Sequence, residues 1–419
     1  MKNLGLSARI FIALILGVIV GLMLQGSPAI ATAWIKPLGT LFLNCIKLII
    51  VPLVFASLIV GVCGLGDIKR LGAIGGKAFG FYMLTTGFAV TLGLVLANAL
   101  SVGAGFVLPT GELSVKVKEA PSIASVLLGI IPTNPIKALA EGNMLQIIFF
   151  ALLFGCGILA VGQKAQVVER FFTGLAEVMY KVTAWIMRLA PIGVFGLIVP
   201  VVAVSGAAVL LPLLKLIGVA ALASLIHVAV IYGGLVRMLG KLNPLTFFRA
   251  IFPAMAVAFT TSSSSGTLPV SMQCCEENLN IDKSITSFVL PLGATINMDG
   301  TAIYQGVCAI FIAQVYGINL DIGHQLMIIL TATLASIGTA GVPGAGMIML
   351  MLVLQTTGLP LEGIALVAGV DRILDMIRTC LNVTGDMTCS AIVNQWEGKS
   401  IAQEKMEREA RVNEEVVAL

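Results

Sequence analysis

Uncharged apolar stretches of about 20 residues, the length a helix needs to cross about 30 Å of hydrocarbon, recur along most of this chain. Residues 10–24 form the first, behind Lys2 and Arg9. AIATA at 29–33 has the form of a small-residue cleavage site, but everything downstream is equally apolar, so the stretch is read as a retained first helix and not as a signal peptide. A second helix is predicted at 37–65 and a third at 78–105, followed by a charged segment with Glu112, Lys116, Lys118 and Glu119. A fourth spans 143–162, a fifth 172–199 with Lys181 and Arg188 breaking its apolar character, and a sixth 210–238.

Two further stretches break this pattern. Residues 250–275 are apolar at both ends but carry TTSSSSGTLP (260–269) in the middle, and residues 323–361 carry SIGTAGVPGAG (336–346). A continuous helix tolerates Ser, Gly and Pro clusters badly, and irregular backbone at membrane depth survives only inside protein or beside water. Both are therefore read as re-entrant hairpins, two short helices meeting at a polar tip. Each is followed by a helix with an Asn-x-x-Gly core and an acid, Asn297-Met298-Asp299-Gly300-Thr301 and Asn382-Val383-Thr384-Gly385-Asp386. Interrupted segments at corresponding places in two halves point to a transporter's binding site.

Composition agrees with lipid as the solvent. Of 419 residues 58% are hydrophobic and 11% charged, with a mean hydropathy of +1.03, whereas soluble domains carry about a quarter charged residues. The net charge of +4 is scattered and does not suggest nucleic acid. Lys2 and Arg9, then Lys69, Arg70 and Lys77, then Lys164 and Arg170, then Arg237, Lys241 and Arg249 flank alternate ends of the spans. The positive-inside rule places these in the cytoplasm, which eight helices with both termini inside satisfy; the first hairpin then enters from the cytoplasm and the second from outside. The tail at 397–419 holds ten charges in 23 residues and is assigned no chemistry. Eight cysteines lie mostly in apolar runs, as small hydrophobes do, and with only His227 and His324 in the chain neither a His-based metal site nor a Ser-His protease is supported.

The last helix carries the chemistry. At about 100° per residue, Asp371, Asp375, Arg378, Thr379, Asn382 and Asp386 fall within an arc of about 100°, opposite an apolar face of Ile373, Ile377, Cys380 and Met387. Each charge at bilayer depth costs on the order of 2.5–3.5 kcal/mol, so such a face needs partners: either an Asp–Arg network that satisfies itself, or ligands. Asp299, Asp371, Asp375 and Asp386 outnumber Arg372 and Arg378, and a buried net negative charge protonates or recruits cations. Asn297, Asn382 and a loosened backbone near Gly293 and Gly385 supply the oxygen ligands hard cations prefer, which points to Na⁺ or H⁺. Arg378 presents a fork that matches a carboxylate, Asp375 one turn earlier can accept from an ammonium, and the open helix ends at the serine-rich tip offer N–H donors to a second carboxylate. An acidic amino acid fits all three, and a plain dicarboxylate fits without the Asp. An intramembrane aspartyl protease built on Asp299 and Asp386 would need neither Arg378 nor two hairpins.

PLVFASLIVG (52–61), APIGVFGLI (190–198), SSSSGTLPV, GATINMDGTA (293–302), GTAGVPGAG and DRILDMIRTCLNVTGD occur in one order over nearly the whole chain. With these motifs the sequence resembles the dicarboxylate/amino acid:cation symporter family, the glutamate/aspartate transporters. That resemblance implies an all-α polytopic membrane protein of eight transmembrane helices and two re-entrant hairpins, related by inverted repeats. It implies a homotrimer in the cell membrane, with no enzymatic activity, working as an elevator. Scaffold helices would lie in 1–70 (first and second) and 111–205 (fourth and fifth). The transport domain would comprise 71–110 (third) and 206–396 (sixth to eighth with both hairpins, the second being the extracellular gate), and 397–419 would be the cytoplasmic tail.

The resemblance also implies that Arg378 binds the side-chain carboxylate of the substrate and Asp375 its α-ammonium. Thr379, Asn382, Thr301 and the hairpin backbones around Ser263, Ser264, Val342 and Gly346 would complete the pocket. Up to about three Na⁺ are implied, with H⁺ as the alternative coupling ion. One site would use Gly293, Asn297, Asn382 and Asp386, and a second Thr295, Ser336, Ile337 and Thr339. The third would use Tyr82, Thr85, Thr86, Asn297 and Asp299. A C4-dicarboxylate or a neutral amino acid is the alternative cargo of the same fold. The chain departs from its relatives where some carry an arginine: it has Ser262 and Met376 there, and Arg372, one turn before Met376, is expected to lean away toward the N-terminus.

Overall fold

The computed structural model describes residues 6–63, 72–104, 131–206, 210–337, 339, 341 and 344–417. Among the described residues the secondary structure is all helical. The charged segment with Glu112, Lys116, Lys118 and Glu119 lies outside them, as do Lys69, Arg70 and Val342.

The first four apolar stretches become α1 (Leu6–Met23), α2 (Lys36–Cys63), α3 (Gly72–Ala99) and α4 (Met144–Val161). The expected fifth helix is two, α5 (Gln166–Met187) and α6 (Ala190–Ser205). Pro191 lies in the first turn of α6, where its missing N–H cannot bond back into α5. The sixth runs from α7 (Leu210–Ile226) through a π-helical turn, His227–Tyr232, into Gly233–Met238. Among the described residues five helical stretches are long and apolar enough to cross a membrane: Pro28–Cys63, Ile74–Ala99, Gln146–Met187, Leu211–Met238 and Pro244–Thr261. Large apolar side chains such as Trp34, Leu48, Leu84 and Leu211 stand exposed on them, the surface a membrane-embedded chain offers to lipid.

Both interrupted stretches fold back on themselves. α8 (Pro244–Thr261) starts at Asn243, whose side chain accepts the Leu245 N–H, and ends at Ser262 in the left-handed conformation (φ 53°). Ser263 then caps α9 (Ser264–Gln273), its Oγ accepting the Gly266 N–H. That Asn278 Nδ2 donates to Ala250 O at 2.8 Å shows that the two arms run back to back. The second pair is α12 (Ile322–Ser336), capped by Asp321, and α13 (Ala345–Thr357), preceded by Gly344 at φ +86°. Between the pairs lies a broken helix the sequence did not announce, α10 (Lys283–Ile296) and α11 (Asp299–Val315), interrupted at Asn297-Met298. α14 (Asp371–Val417) is continuous through Gly385, and α10 through Gly293. The loosened backbone therefore lies at Asn297-Met298 and not at those glycines, which instead permit close approach. A Cβ on Gly385 would strike the Tyr232 hydroxyl and the Asn297 amide, and one on Gly293 would strike Asp386 and the Tyr82 hydroxyl.

Packing falls into two groups. α1 lies along α6, and α2 packs on α4, α5 and α6. Gly39 and Gly196 bring α2 and α6 to backbone contact, as small residues do between membrane helices. Phe55 stacks on Phe150 and meets Phe172 edge-on, both at 5.6 Å between centroids. Such pairs contribute about 0.5–1.5 kcal/mol each beyond burial. In the other group α11, buried along nearly its whole length, packs against α3, α13 and α14, while α8 and α10 pack on α14.

Candidate functional site

Three irregular backbones, the two hairpin tips and the α10–α11 break, meet the N-terminal part of the continuous helix α14 in the second group. The tips touch through Gly341, whose carbonyl accepts from Ser263 Oγ (2.9 Å) and from the Ser265 N–H (3.3 Å). Ser263 is thus a cap and a tip-to-tip bridge. A small cavity of about 10 Å³ lies between them. The first tip lines it with Ser262 and Ser264, the helix break with Met298 and Thr301, the second tip with Thr339, Gly341, Ala345 and Gly346, and α14 with Asp375, Arg378, Thr379 and Asn382. All the substrate residues expected from the sequence line it except Ser263 and Val342, the latter outside the described residues. Ser262, Met298, Thr339, Gly341 and Ala345 are additional. The Ser262 hydroxyl is buried without a partner.

The charges of α14 are engaged with one another. Arg378, 3% exposed, donates from Nη1 to Asp371 Oδ1 at 2.9 Å, and its Nη2 lies 2.8 Å from Asp375 Oδ1, at an angle poor for a hydrogen bond. The guanidinium also lies 4.6 Å from the centroid of the Tyr304 ring. Asp375 Oδ2 accepts the Gly344 N–H of the second tip at 3.1 Å and lies 3.4 Å from Arg372 Nη1. Part of the Asp–Arg network that the sequence allowed is therefore present and reaches into a hairpin tip, but it does not satisfy itself: among the described residues Arg378 Nη2 and Arg372 Nε are buried with no hydrogen-bond partner. Arg372 does not simply lean away: its Nη2 lies 3.5 Å from the carbonyl of Thr261, next to Ser262.

Beneath the cavity lies a second polar cluster. Asn297 Nδ2 donates to the Asn382 carbonyl (3.0 Å) and to Asp386 Oδ1 (2.9 Å), and the Asn382 side-chain oxygen accepts the Gly300 N–H (2.7 Å). Gly293 rests against Asp386 and Tyr82. Gly293, Asn297, Asn382 and Asp386 are thus brought together. Thr86 Oγ1 donates to Asp299 Oδ1 at 2.6 Å, while Tyr82 and Thr85 donate to backbone carbonyls, at Val289 and Tyr82 respectively. Thr295, Ser336 and Thr339 each bond within their own element, to Leu292 O, Thr333 O and Ala335 O, and the Ile337 N–H bonds to Leu334 O.

Two groups escape the sequence reading. His227 Nε2 lies 3.2 Å from Asp299 Oδ2, to which Tyr232 O–H donates at 2.6 Å. Asp299 and Asp386 thus have separate partners, which a protease dyad sharing a proton would not. Among the described residues Asn297 Oδ1, beside the Asp386 carboxylate, is buried with no partner. An orphan oxygen with a carboxylate and carbonyls nearby fits a hard monovalent cation such as Na⁺. Among the described residues no group of three or more His, Cys, Asp and Glu side chains could hold a metal ion.

Known proteins match nearly the whole chain. A proton/sodium-glutamate symport protein of Geobacillus stearothermophilus is 40% identical over 407 residues, covering 95% of this chain and 96% of the relative. A proton/glutamate-aspartate symporter of Escherichia coli is 38% identical, covering 95% of each. A C4-dicarboxylate transport protein of Bacillus subtilis is 35% identical, covering 94% of each. The model of the sodium:dicarboxylate symporter family matches residues 6–396, and the chain, a membrane protein with interrupted helices converging on a buried arginine, belongs to that family.

Proposed function

We propose that this protein is a secondary active symporter that takes up aspartate or glutamate together with Na⁺ or H⁺. The observation that carries this reading is Arg378, a buried guanidinium where the two hairpin tips meet, with Asp375 one turn away. The arginine fork receives the side-chain carboxylate of the cargo, Asp375 its ammonium, and the N-terminal N–H groups of α9 and α13 the other carboxylate. Thr301, Thr379 and Asn382 complete the wall. A cavity of about 10 Å³ has room for about one water, so loading requires a tip to lift. Lifting the second tip breaks the Gly344 bond to Asp375, and a cargo ammonium competes for that same oxygen.

Up to three cations would bind beneath, at Gly293, Asn297, Asn382 and Asp386, at Thr295, Ser336, Ile337 and Thr339, and at Tyr82, Thr85, Thr86, Asn297 and Asp299. Asn382 faces the cavity and is tied through its carbonyl to Asn297, so occupancy on either side firms the other. That reciprocity is what coupled binding requires. We further read the chain as a homotrimer of eight crossings and two re-entrant hairpins related by inverted repeats, with α5 and α6 as one crossing and both termini cytoplasmic. α1, α2, α4, α5 and α6 would form a fixed scaffold past which the other helices slide as an elevator, a reading supported by packing that is denser within each group than between them.

The test is uptake of labelled aspartate by purified protein in liposomes, driven by an inward Na⁺ gradient and then by a proton gradient alone. Arg378→Ala removes acidic cargo, and Asp386→Asn weakens the cation dependence. Neutral amino acid uptake unchanged by Arg378→Ala would contradict the pocket assignment. A C4-dicarboxylate cargo is the second reading, favoured by the Bacillus subtilis relative; succinate outcompeting aspartate would select it.

A further inference from the structure

At the end of α7 the sixth helix changes pitch: His227–Tyr232 is a π-helical turn between α7 and the α-helical segment Gly233–Met238. Such turns are rare and concentrate at functional sites, and here the spacing shows what the turn achieves. In an α-helix, positions five apart lie about 140° from each other around the axis. An i to i+5 turn stacks them instead. His227 and Tyr232 are five apart; their rings meet edge to face at 4.7 Å between centroids, and both reach Asp299 Oδ2, at 3.2 and 2.6 Å. The other oxygen, Oδ1, accepts from Thr86 at 2.6 Å. All four residues are fully buried. Among the described residues His227 Nδ1 has no partner, so the hydrogen bond of the ring there is the one to Asp299. An oxygen that already accepts from a tyrosine is met there by an N–H donor.

We propose that the π turn is a positioning device for the third cation site, with His227 and Tyr232 occupying Oδ2 so that Asp299 offers only Oδ1, beside the Thr86 hydroxyl, to the ion. This rests on the cation-site reading above and adds two residues that do not touch the ion. A free carboxylate rotates about its Cβ–Cγ bond and can clasp a cation with both oxygens. Two donors on one oxygen stop that rotation and leave a single-oxygen ligand aimed from one direction. An unbroken α-helix would carry one of the two rings to another face and release it.

The test is equilibrium Na⁺ binding to the detergent-purified full chain without cargo. It is read as the rise in apparent unfolding temperature with NaCl at constant ionic strength set by choline chloride, since an ion that binds the folded state raises that midpoint. His227→Ala and Tyr232→Phe are each expected to raise the half-saturating Na⁺ concentration by about tenfold, the scale typical of residues that orient metal ligands. His227→Gln, which keeps an N–H donor at nearly the same reach, titrates close to the parent protein. Parent-like titration of His227→Ala and Tyr232→Phe overturns the proposal, and so does a His227→Gln protein as impaired as His227→Ala. Should His227→Ala fail to fold, Tyr232→Phe decides alone, because it removes one oxygen and leaves the ring. Asp299→Asn separates the two readings: if it leaves the Na⁺ titration unchanged, the cation site itself is misassigned. If Asp299→Asn weakens the Na⁺ titration while Tyr232→Phe does not alter it, only the positioning role fails.

Discussion

Replacing Asp375 by Asn should change which cargo the protein prefers while leaving it folded. Three groups meet this buried carboxylate: Arg378 Nη2 at 2.8 Å, Arg372 Nη1 at 3.4 Å and the Gly344 N–H at 3.1 Å. An Asn keeps an oxygen for Gly344, and Arg378 keeps Asp371 at 2.9 Å. The cost of about 3–5 kcal/mol for stripping a buried ion of its partner is therefore avoided for Arg378, while Arg372, only partly buried, gives up its longer contact with the carboxylate. What disappears is the negative charge offered to a cargo ammonium. A hydrogen bond to a charged group contributes about 1.5–3 kcal/mol, and each 1.4 kcal/mol is about tenfold in affinity, so aspartate should bind about 10- to 150-fold more weakly. Succinate, which has both carboxylates and no ammonium, should lose nothing and gain from the reduced negative charge. Competition of aspartate and succinate against labelled cargo in proteoliposomes under an inward Na⁺ gradient measures both. An unchanged aspartate KM, or equal losses for the two competitors, would refute the assignment of Asp375.

Two glycines give sharper steric tests. A Cβ on Gly346 would land on the Arg378 guanidinium, so Gly346→Ala should push the fork off its cargo position and lower acidic amino acid uptake at least tenfold, with the apparent unfolding temperature of the protein in detergent little altered. Gly385→Ala gains about 0.8–1 kcal/mol of helix propensity, but its methyl group would strike the Tyr232 hydroxyl and the Asn297 amide, and overpacking costs about 1–3 kcal/mol. The net effect should be a lower unfolding temperature together with weaker Na⁺ binding; a stabilised protein with normal Na⁺ titration would mean that the contact relaxes freely.

Much of this protein was legible before any coordinates, and the reason is the solvent. Partition into lipid acts residue by residue, so the apolar stretches located α1, α2, α4 and the start of α7 to about a turn, and α3 with both ends nearly two turns too late. Ser, Gly and Pro clusters intolerable in a lipid-exposed helix likewise announced both hairpins. The helical period alone put Asp371, Asp375, Arg378, Asn382 and Asp386 on one face. Only tertiary structure decided what that face touches. The α10–α11 break at Asn297-Met298 depends on partners that come from α14, the Asn382 carbonyl and Asp386, 85 or more residues away in the chain. His227, dismissed for lack of a companion histidine, owes its place to an Asp 72 residues later and to a π turn that no hydrophobic pattern records. Gly293 and Gly385 read as loosened backbone because glycine permits that, but the structure uses them for closeness. A sequence lists which donors and acceptors must be paired in oil; the approach of distant segments decides which pairs form.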